Sequence, residues 1–482
     1  MKTPQIILTS LLLLVSLLLS AQNDRQWQWA HRAGGDGFNQ NNDDEEGVDI
    51  VLDKDNNVYV CGHIFPLATF DTSQVDFNVT DLNIFLAKYS CEGELLWHRV
   101  FGSDRRDLVS GMTIDEDDNI YITGQIPQGQ FSNAILGDDT LTSFGGLYIS
   151  KFDSDGNNIW NKVSYSGAFG FHINKGPNGT LYVYGRAGQN EIQIFSQYTV
   201  GGIVGGRTFI IKMDTSGAIH WVKNYGDTTY AHKSFFNVQD MSVADNGDIY
   251  LAGYFNYDTL YFFSEVIVRK SDHSDIILAK LDSSGQFQWV QRAGGSGLGS
   301  LAYAVKAAED NKIYVTGSFN DNEGDADFGN IVITQPIGGG GSAFLAQYNS
   351  DGTVEWVRTP DPIPNNSTSS SNCIGIVSSS DVVWGGLHSG VIIEGEVYEN
   401  TQANGLAPFF ARNTSDNTIV EGFQFGNQGG IGNINPSSIV GGHHNNIFFT
   451  GAFEERIVVD DIGDTINNDG GGDWDIIVAK YG

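Results

Sequence analysis

The sequence predicts an all-β protein, a seven-bladed β-propeller closed by an N-terminal strand that completes the last blade. Three observations predict it. Three sequence registers recur at near-constant spacing, the strands they mark are apolar on both faces, and the two chain ends carry complementary parts of one repeat.

The first register is a tryptophan. Trp29, Trp97, Trp160, Trp221, Trp289 and Trp356 are separated by 68, 63, 61, 68 and 67 residues. Four of them follow a turn-like segment: DSDGNNIW, DTSGAIHW, DSSGQFQW and NSDGTVEW. A seventh is expected near Gly422, where SDNTIVEG keeps the turn without the ring. The second register is a short strand such as Asn57-Val58-Tyr59-Val60 or Asn119-Ile120-Tyr121-Ile122, ending at a glycine: Gly62, Gly124, Gly185, Gly253, Gly317, Gly386 and Gly451. The third reads IFLAKY, LYISKF, TFIIKM, DIILAKL, AFLAQY, PFFARN and DIIVAKY. Seven copies fit without remainder.

Neighbouring residues of the third register, such as Phe85 and Leu86 or Phe344 and Leu345, are both large and apolar. A sheet with one wet face alternates polar and apolar residues, so these strands are buried on both sides. Small sheets stacked radially about an axis satisfy that demand. The last repeat stops at Tyr481-Gly482, before its tryptophan strand, and WQWAHRAGG at the start resembles QWVQRAGG around Trp289. The N-terminal strand is therefore expected to pair with residues 474–481, leaving no open sheet edge.

Met1-Lys2, an apolar run from Ile6 to Leu19 and Ser20-Ala21-Gln22 form the pattern of a Sec-type signal peptide. The expected organisation is residues 1–21 as signal peptide and 22–482 as one propeller, exported to the periplasm, the outer-membrane surface or the medium. No later stretch approaches the roughly 18 apolar residues of a spanning helix. A net charge of -32 speaks against nucleic acid or an anionic membrane as partner. A cation, a basic protein or a neutral glycan stays compatible with it. Cys61, Cys91 and Cys373 do not suffice for a disulfide framework.

The combination of Asp/Asn-turn-Gly, Trp, Asn-x-Tyr-Val-x-Gly and Ile-Phe-x-Ala-Lys-Tyr resembles the secreted β-propeller repeats common in Bacteroidota. The likeness spans nearly the whole mature chain. It implies the fold and an exported, cell-envelope setting, and it implies no particular activity. AKLDSSGQFQW also resembles the tryptophan-docking motif of quinoprotein dehydrogenases, but no adjacent cysteines occur here.

Name the strands of each unit a, b (second register), c (third register) and d (tryptophan). The a–b and c–d connections are tight turns and must share one face. The b–c and d–a segments are long and share the other; the near-constant length of b–c suggests an added hairpin in each blade. Variable segments on a rigid scaffold are where binding usually sits. The candidate binding face is thus the long-segment one, with Asp43, Asp44, Glu45 and Glu46 in one d–a segment and Tyr230, His232, Phe235 and Phe236 in another. The acidic segment is expected to be an exposed loop.

The strand-c cations (Lys88, Lys151, Lys212, Lys280, Arg412 and Lys480, with Gln347 in the fifth blade) are expected to make one structural hydrogen bond per blade. Asp53-x-Asp55-x-Asn57 and Asp115-x-Asp117-x-Asn119 resemble the start of a calcium loop but lack its Gly and Glu, so they read as turn chemistry. No cofactor is expected, calcium being the one candidate, and no catalytic motif is evident. The expected function is a binding or scaffold module for a protein or glycan. The alternative is a propeller enzyme acting on extracellular polysaccharide, a glycosidase or lyase, or a quinoprotein dehydrogenase.

Overall fold

The computed structural model describes residues 25–482 apart from 36–44, 75–80, 127–132, 202–207, 226–235, 335–340, 363–367, 400–405, 426–432, 469–473 and several gaps of one to four residues. Within them the chain forms seven antiparallel blades of four strands each, the sheet of the last blade being extended to six strands by the hairpin of blade 1. Blade 1 comprises Glu46–Leu52, Val58–Ile64, Asn83–Tyr89 and Leu95–Phe101. Blades 2 to 6 span 108–163, 168–225, 237–293, 299–358 and 369–423. Blade 7 takes Ile434–Gly441, Ile447–Glu454 and Trp474–Tyr481 from the C-terminal end and Trp27–Gly34 from the N-terminal end. The closing register is the expected one, with Trp29 opposite Lys480.

The two apolar faces of each sheet build seven separate apolar layers, one between each pair of neighbouring blades. Phe85 packs with Phe448 and Val478 on the blade 7 side, whereas Leu86 packs with Ile122 and Tyr148 on the blade 2 side. The a strands of adjacent blades touch each other, which makes them the innermost strands around the channel. Each b–c segment carries a hairpin, for example Asn133–Leu136 with Asp139–Thr142 and Thr259–Phe262 with Glu265–Val268. In blade 1 the hairpin reaches back to the preceding blade, pairing Phe70 with Ala33 of the N-terminal strand.

The tight-turn face explains the tryptophan register. Each Trp reaches the c–d turn of the following blade, and five of the six donate from Nε1 to one backbone carbonyl there: Trp29 to Cys91, Trp97 to Ser154, Trp160 to Thr215, Trp289 to Ser350 and Trp356 to Ser415. Except at Trp356, whose turn carries Asn417 instead, the ring covers the turn glycine, where an added Cβ at Gly156 would sit 3.0 Å from the Trp97 ring. That glycine also holds a positive φ, 78° at Gly156 and 88° at Gly217, so both the turn and the docking demand it.

The strand-c cation joins the same latch. Lys212, Lys280 and Lys480 donate Nζ to Ser283 O, Ser350 O and Cys91 O, each at 3.0 Å. Lys280 also pairs with Asp248 of its own a–b turn at 2.8 Å, and Lys88 lies 4.7 Å from the centre of the Tyr59 ring. These cations are structural, as expected.

Blade 5 departs from the pattern for an electrostatic reason. The position of Asp248 is taken there by Lys312, and the strand-c cation becomes Gln347. Gln347 is fully buried, with neither amide atom hydrogen-bonded among the described residues. A buried, unsatisfied amide costs about 1–3 kcal/mol. Gln347→Met is therefore expected to raise the unfolding free energy by about 1 kcal/mol, whereas Gln347→Lys, facing Lys312, should lower it. Equilibrium urea unfolding reads both.

The missing seventh tryptophan has a similar cause. Its slot, opposite Arg412, is Glu421, one residue before Gly422. The next c–d connection is the meeting of the chain ends, where Gln26 and Gly482 exchange backbone hydrogen bonds, so no turn exists for an indole to cover. An ionic latch replaces it. Glu421 accepts from Arg25 at 2.6 Å and from Arg412 at 3.1 Å, and the Arg25 guanidinium lies 5.1 Å from the centre of the Tyr481 ring.

Candidate functional site

The seven a strands share an irregularity that shapes the channel mouth. Each carries a one-residue bulge at the same place, at Val48, Ser110, Phe171, Gln239, Tyr303, Asn372 and Ser437. Bulges kink a strand and re-aim its side chains. They also explain the glycine that ends the second register. An added Cβ at Gly62, Gly124, Gly253, Gly317, Gly386 or Gly451 would collide with a carbonyl of the kinked a strand.

Beyond that glycine the repeat ends. The next residue of strand b is His63, Gln125, Arg186, Tyr254, Ser318, Leu387 or Ala452, different in every blade and half-buried in the first six. The residues paired with them across strand a vary as well, with only Leu and Asn recurring: Glu46, Leu108, Phe169, Asn237, Leu301, Ser370 and Asn435. With the bulged residues they ring the channel on the long-segment face.

Below this mouth the polar side chains of the a strands are engaged in joints between blades. Asp49 accepts from Met112 N of blade 2 and from the Ser438 hydroxyl of blade 7. Asp240 accepts from Val305 N of blade 5, and its carboxylate lies 3.4 Å from His172 Nδ1 of blade 3. Burial lowers the His172 pKa against the pull of Asp240, which favours a neutral ring. His63 is likewise pushed down to about 4 by burial, and Val109 N donates to its Nε2. At the mouth itself, Arg186 lies over the Phe171 ring at 4.9 Å and donates to Val238 O. The Tyr303 hydroxyl lies beside Ser318, with Tyr254 close by. Such a surface offers rings, hydroxyls and amides to a ligand.

The acidic segment is not simply an exposed loop. Asp43 and Asp44 lie outside the described residues. Glu45 is buried, 2% exposed, with its carboxyl accepting from Phe65 N at 2.7 Å and Gly35 N at 2.9 Å. Glu46 already belongs to strand a and accepts from the Ser437 hydroxyl at 2.6 Å. The reason is the seam between blades 7 and 1, which encloses the end of this segment. In the aromatic segment, Tyr230, His232 and Phe235 lie outside the described residues. Phe236 is buried against Phe262 in the layer between blades 3 and 4. Neither Glu45 nor Phe236 presents a side chain to a partner.

The acidic turns engage their own carboxylates. Asp53 accepts from Asp55 N, Asn57 N and Asn57 Nδ2, and Asp115 repeats that pattern and also accepts from the Tyr121 hydroxyl. Cys61 and Cys373 are buried in different blades, and all three cysteines are free thiols. Among the described residues no helix is long and apolar enough to cross a membrane.

No protein family model matches the chain. It is 20% identical over 475 residues to an uncharacterized WD repeat-containing protein of Acanthamoeba polyphaga mimivirus, covering 80% of this chain and about a third (32%) of that relative's length. Among solved structures it is similar to virginiamycin B lyase from Staphylococcus aureus, with a TM-score of 0.41 and 12% identity over 94% of this chain and 98% of the other. A PL25 ulvan lyase aligns with a TM-score of 0.43 and 11% identity over 93% and 97%. A protein of unknown function from Dyadobacter fermentans aligns at 0.38 and 11%, over 93% and 97%. The chain is a β-propeller repeat protein.

Proposed function

We propose that this propeller is an exported binding module of the bacterial envelope, of the secreted Bacteroidota kind its repeats resemble, and that it presents its channel mouth to a protein or glycan. One observation carries the reading: the contrast between the two faces. On the tight-turn face the same Trp, Gly and cation return blade after blade, engaged in latches. At the mouth, one residue past each repeated glycine, no two blades agree. Repetition marks what the fold needs, and a rigid scaffold with a non-repeating rim suits recognition of a specific partner. No cofactor enters this reading, since the Asp-rich turns have their carboxylates filled by turn hydrogen bonds.

The test is capture of the native envelope partner by the mature chain, followed by affinity measurement on point variants. Tyr254→Ala and Tyr303→Ala should each weaken binding about tenfold or more, the loss of an interface anchor costing on the order of 1–2 kcal/mol or above. Ser284→Ala, in a tight turn of the opposite face, should leave affinity unchanged. A partner cross-linked to the tight turns or to the outer strand edges would refute the proposal.

A further inference from the structure

At the mouth, between the last rungs of blades 5 and 6, lies a cleft of about 320 Å³. Its wall is built from the rung Leu301–Ser318 of blade 5 and the rung Ser370–Leu387 of blade 6, with Leu406 at its rim. Apolar and hydroxyl-bearing residues thus share the lining, with Ser274 of blade 4 contributing a further hydroxyl. We infer that this cleft holds a neutral, hydroxyl-rich ligand, a sugar unit of an uncharged glycan, an assignment that rests on the mouth being the binding surface.

Three properties select that chemistry. First, among the described residues none that lines the cleft is charged, in a chain whose net charge is -32. An anionic ligand would meet no lining cation and a repulsive field. Second, a wholly apolar ligand would offer nothing to the Ser370 hydroxyl in the lining, at about 1–3 kcal/mol for a buried group left unsatisfied, the Ser318 hydroxyl being already paired with Tyr303. Third, a sugar ring has the matching duality. Its C–H faces lie against leucines while its hydroxyls exchange hydrogen bonds with serines and threonine.

The surroundings fit that occupant. Ser369 Oγ is engaged, accepting from Ala343 N at 2.9 Å, and so fixes the start of the blade 6 a strand beside blade 5. Tyr303, the bulged residue of blade 5, is half-buried beside Ser318 and supplies an aromatic face next to the cleft. The volume is at the small end of the roughly 300–1,000 Å³ typical of ligand sites, room for one or two sugar rings rather than a large cofactor.

The experiment is calorimetric titration of the mature chain with a panel of neutral oligosaccharides and their uronate-containing counterparts, repeated on Leu406→Asp. Leu406 is 37% exposed, so the aspartate should not disturb folding, which its melting curve checks. The expected result is saturable binding of a neutral oligosaccharide, a clear preference over uronates, and at least a tenfold loss in Leu406→Asp. Preference for uronates, unchanged affinity in Leu406→Asp, or no binding across the panel would overturn the assignment. Tyr254→Ala and Tyr303→Ala separate the two levels. If they lose the envelope partner while no oligosaccharide binds, the mouth stands and the ligand class falls. If they keep the partner, the mouth reading falls as well.

Discussion

Removing residues 22–33 is expected to destabilise the mature chain by several kcal/mol, and Trp27→Ala alone by about 3–5 kcal/mol, the usual cost of emptying a large buried aromatic site. The strand that this deletion removes does three jobs. It is the outer strand of blade 7, with its backbone paired from Trp27–Tyr481 to Ala33–Ile476. It holds Trp29, whose ring and Nε1 latch blade 7 to the turn of blade 1 at Cys91. It holds Trp27, 3% exposed, which lies in the layer between blades 6 and 7 with Phe425 at 4.5 Å, Tyr481 at 5.2 Å and Phe449 at 5.5 Å between ring centroids. Trp27 Nε1 also donates to Gln424 O at 2.9 Å.

Losing the strand also frees the edge of Trp474–Tyr481 and the blade 1 hairpin that pairs with Ala33 and Gly34. An unpaired edge is a template for association, so the truncated chain should self-associate as well as melt early. Calorimetry with light scattering reads both effects. A truncated chain that melts like the parent and stays monomeric would show that closure contributes nothing.

What the sequence makes legible follows from repetition. A residue that returns in six or seven blades must do the same job in each, so the tryptophans, the turn glycines and the strand-c cations point to a shared contact before any coordinates exist. The exceptions are legible only once neighbours are known. Gln347 makes sense beside Lys312, and Glu421 makes sense because the chain ends meet where a turn would stand. The same limit applies to Glu45 and Phe236. By composition both end polar or mixed loop segments, yet Glu45 is enclosed by Phe65 and Asp475, which are distant in sequence or at the other end of the chain. Trp27 is hidden for the same reason, since it follows the period of no register. The mouth does have a sequence signal, the residue after each repeated glycine, but it is a break in a pattern rather than a pattern.

Between about pH 6.5 and 8 the protein is expected to lose stability as pH rises, and Glu45 is the main reason; below 6.5 the lowered pKa values of His63, His172 and His388 act in the opposite direction. Burial, together with the nearby Asp475, pushes its pKa up from 4.5 to about 8, against the hydrogen bonds from Phe65 N and Gly35 N. Asp475 is itself fully buried and paired with Arg32 Nε at 2.6 Å. Among the described residues the Arg32 cation thus faces the pair of carboxyls, Asp475 and Glu45, at the closing seam, and Gly34 lies between these carboxyls with no room for a Cβ. The protonated Glu45 is the form that fits. A group whose folded pKa lies above its unfolded one favours folding fully below the unfolded value and loses that contribution as pH climbs to the folded value. The Glu45 window is therefore about 4.5 to 8. Asp107, buried at the equivalent joint of blades 1 and 2 and pushed up to about 7, acts in the same direction. Inside its window each of the two groups contributes a slope of up to roughly 1.4 kcal/mol per pH unit. Glu45→Gln mimics the protonated carboxyl toward Asp475 while giving up one acceptor for a backbone amide. Its diagnostic is consequently the slope rather than the absolute stability: the fall between about pH 6.5 and 8 should flatten in the variant, measured by urea unfolding across pH at constant ionic strength. An undiminished slope in Glu45→Gln would place the titrating group elsewhere.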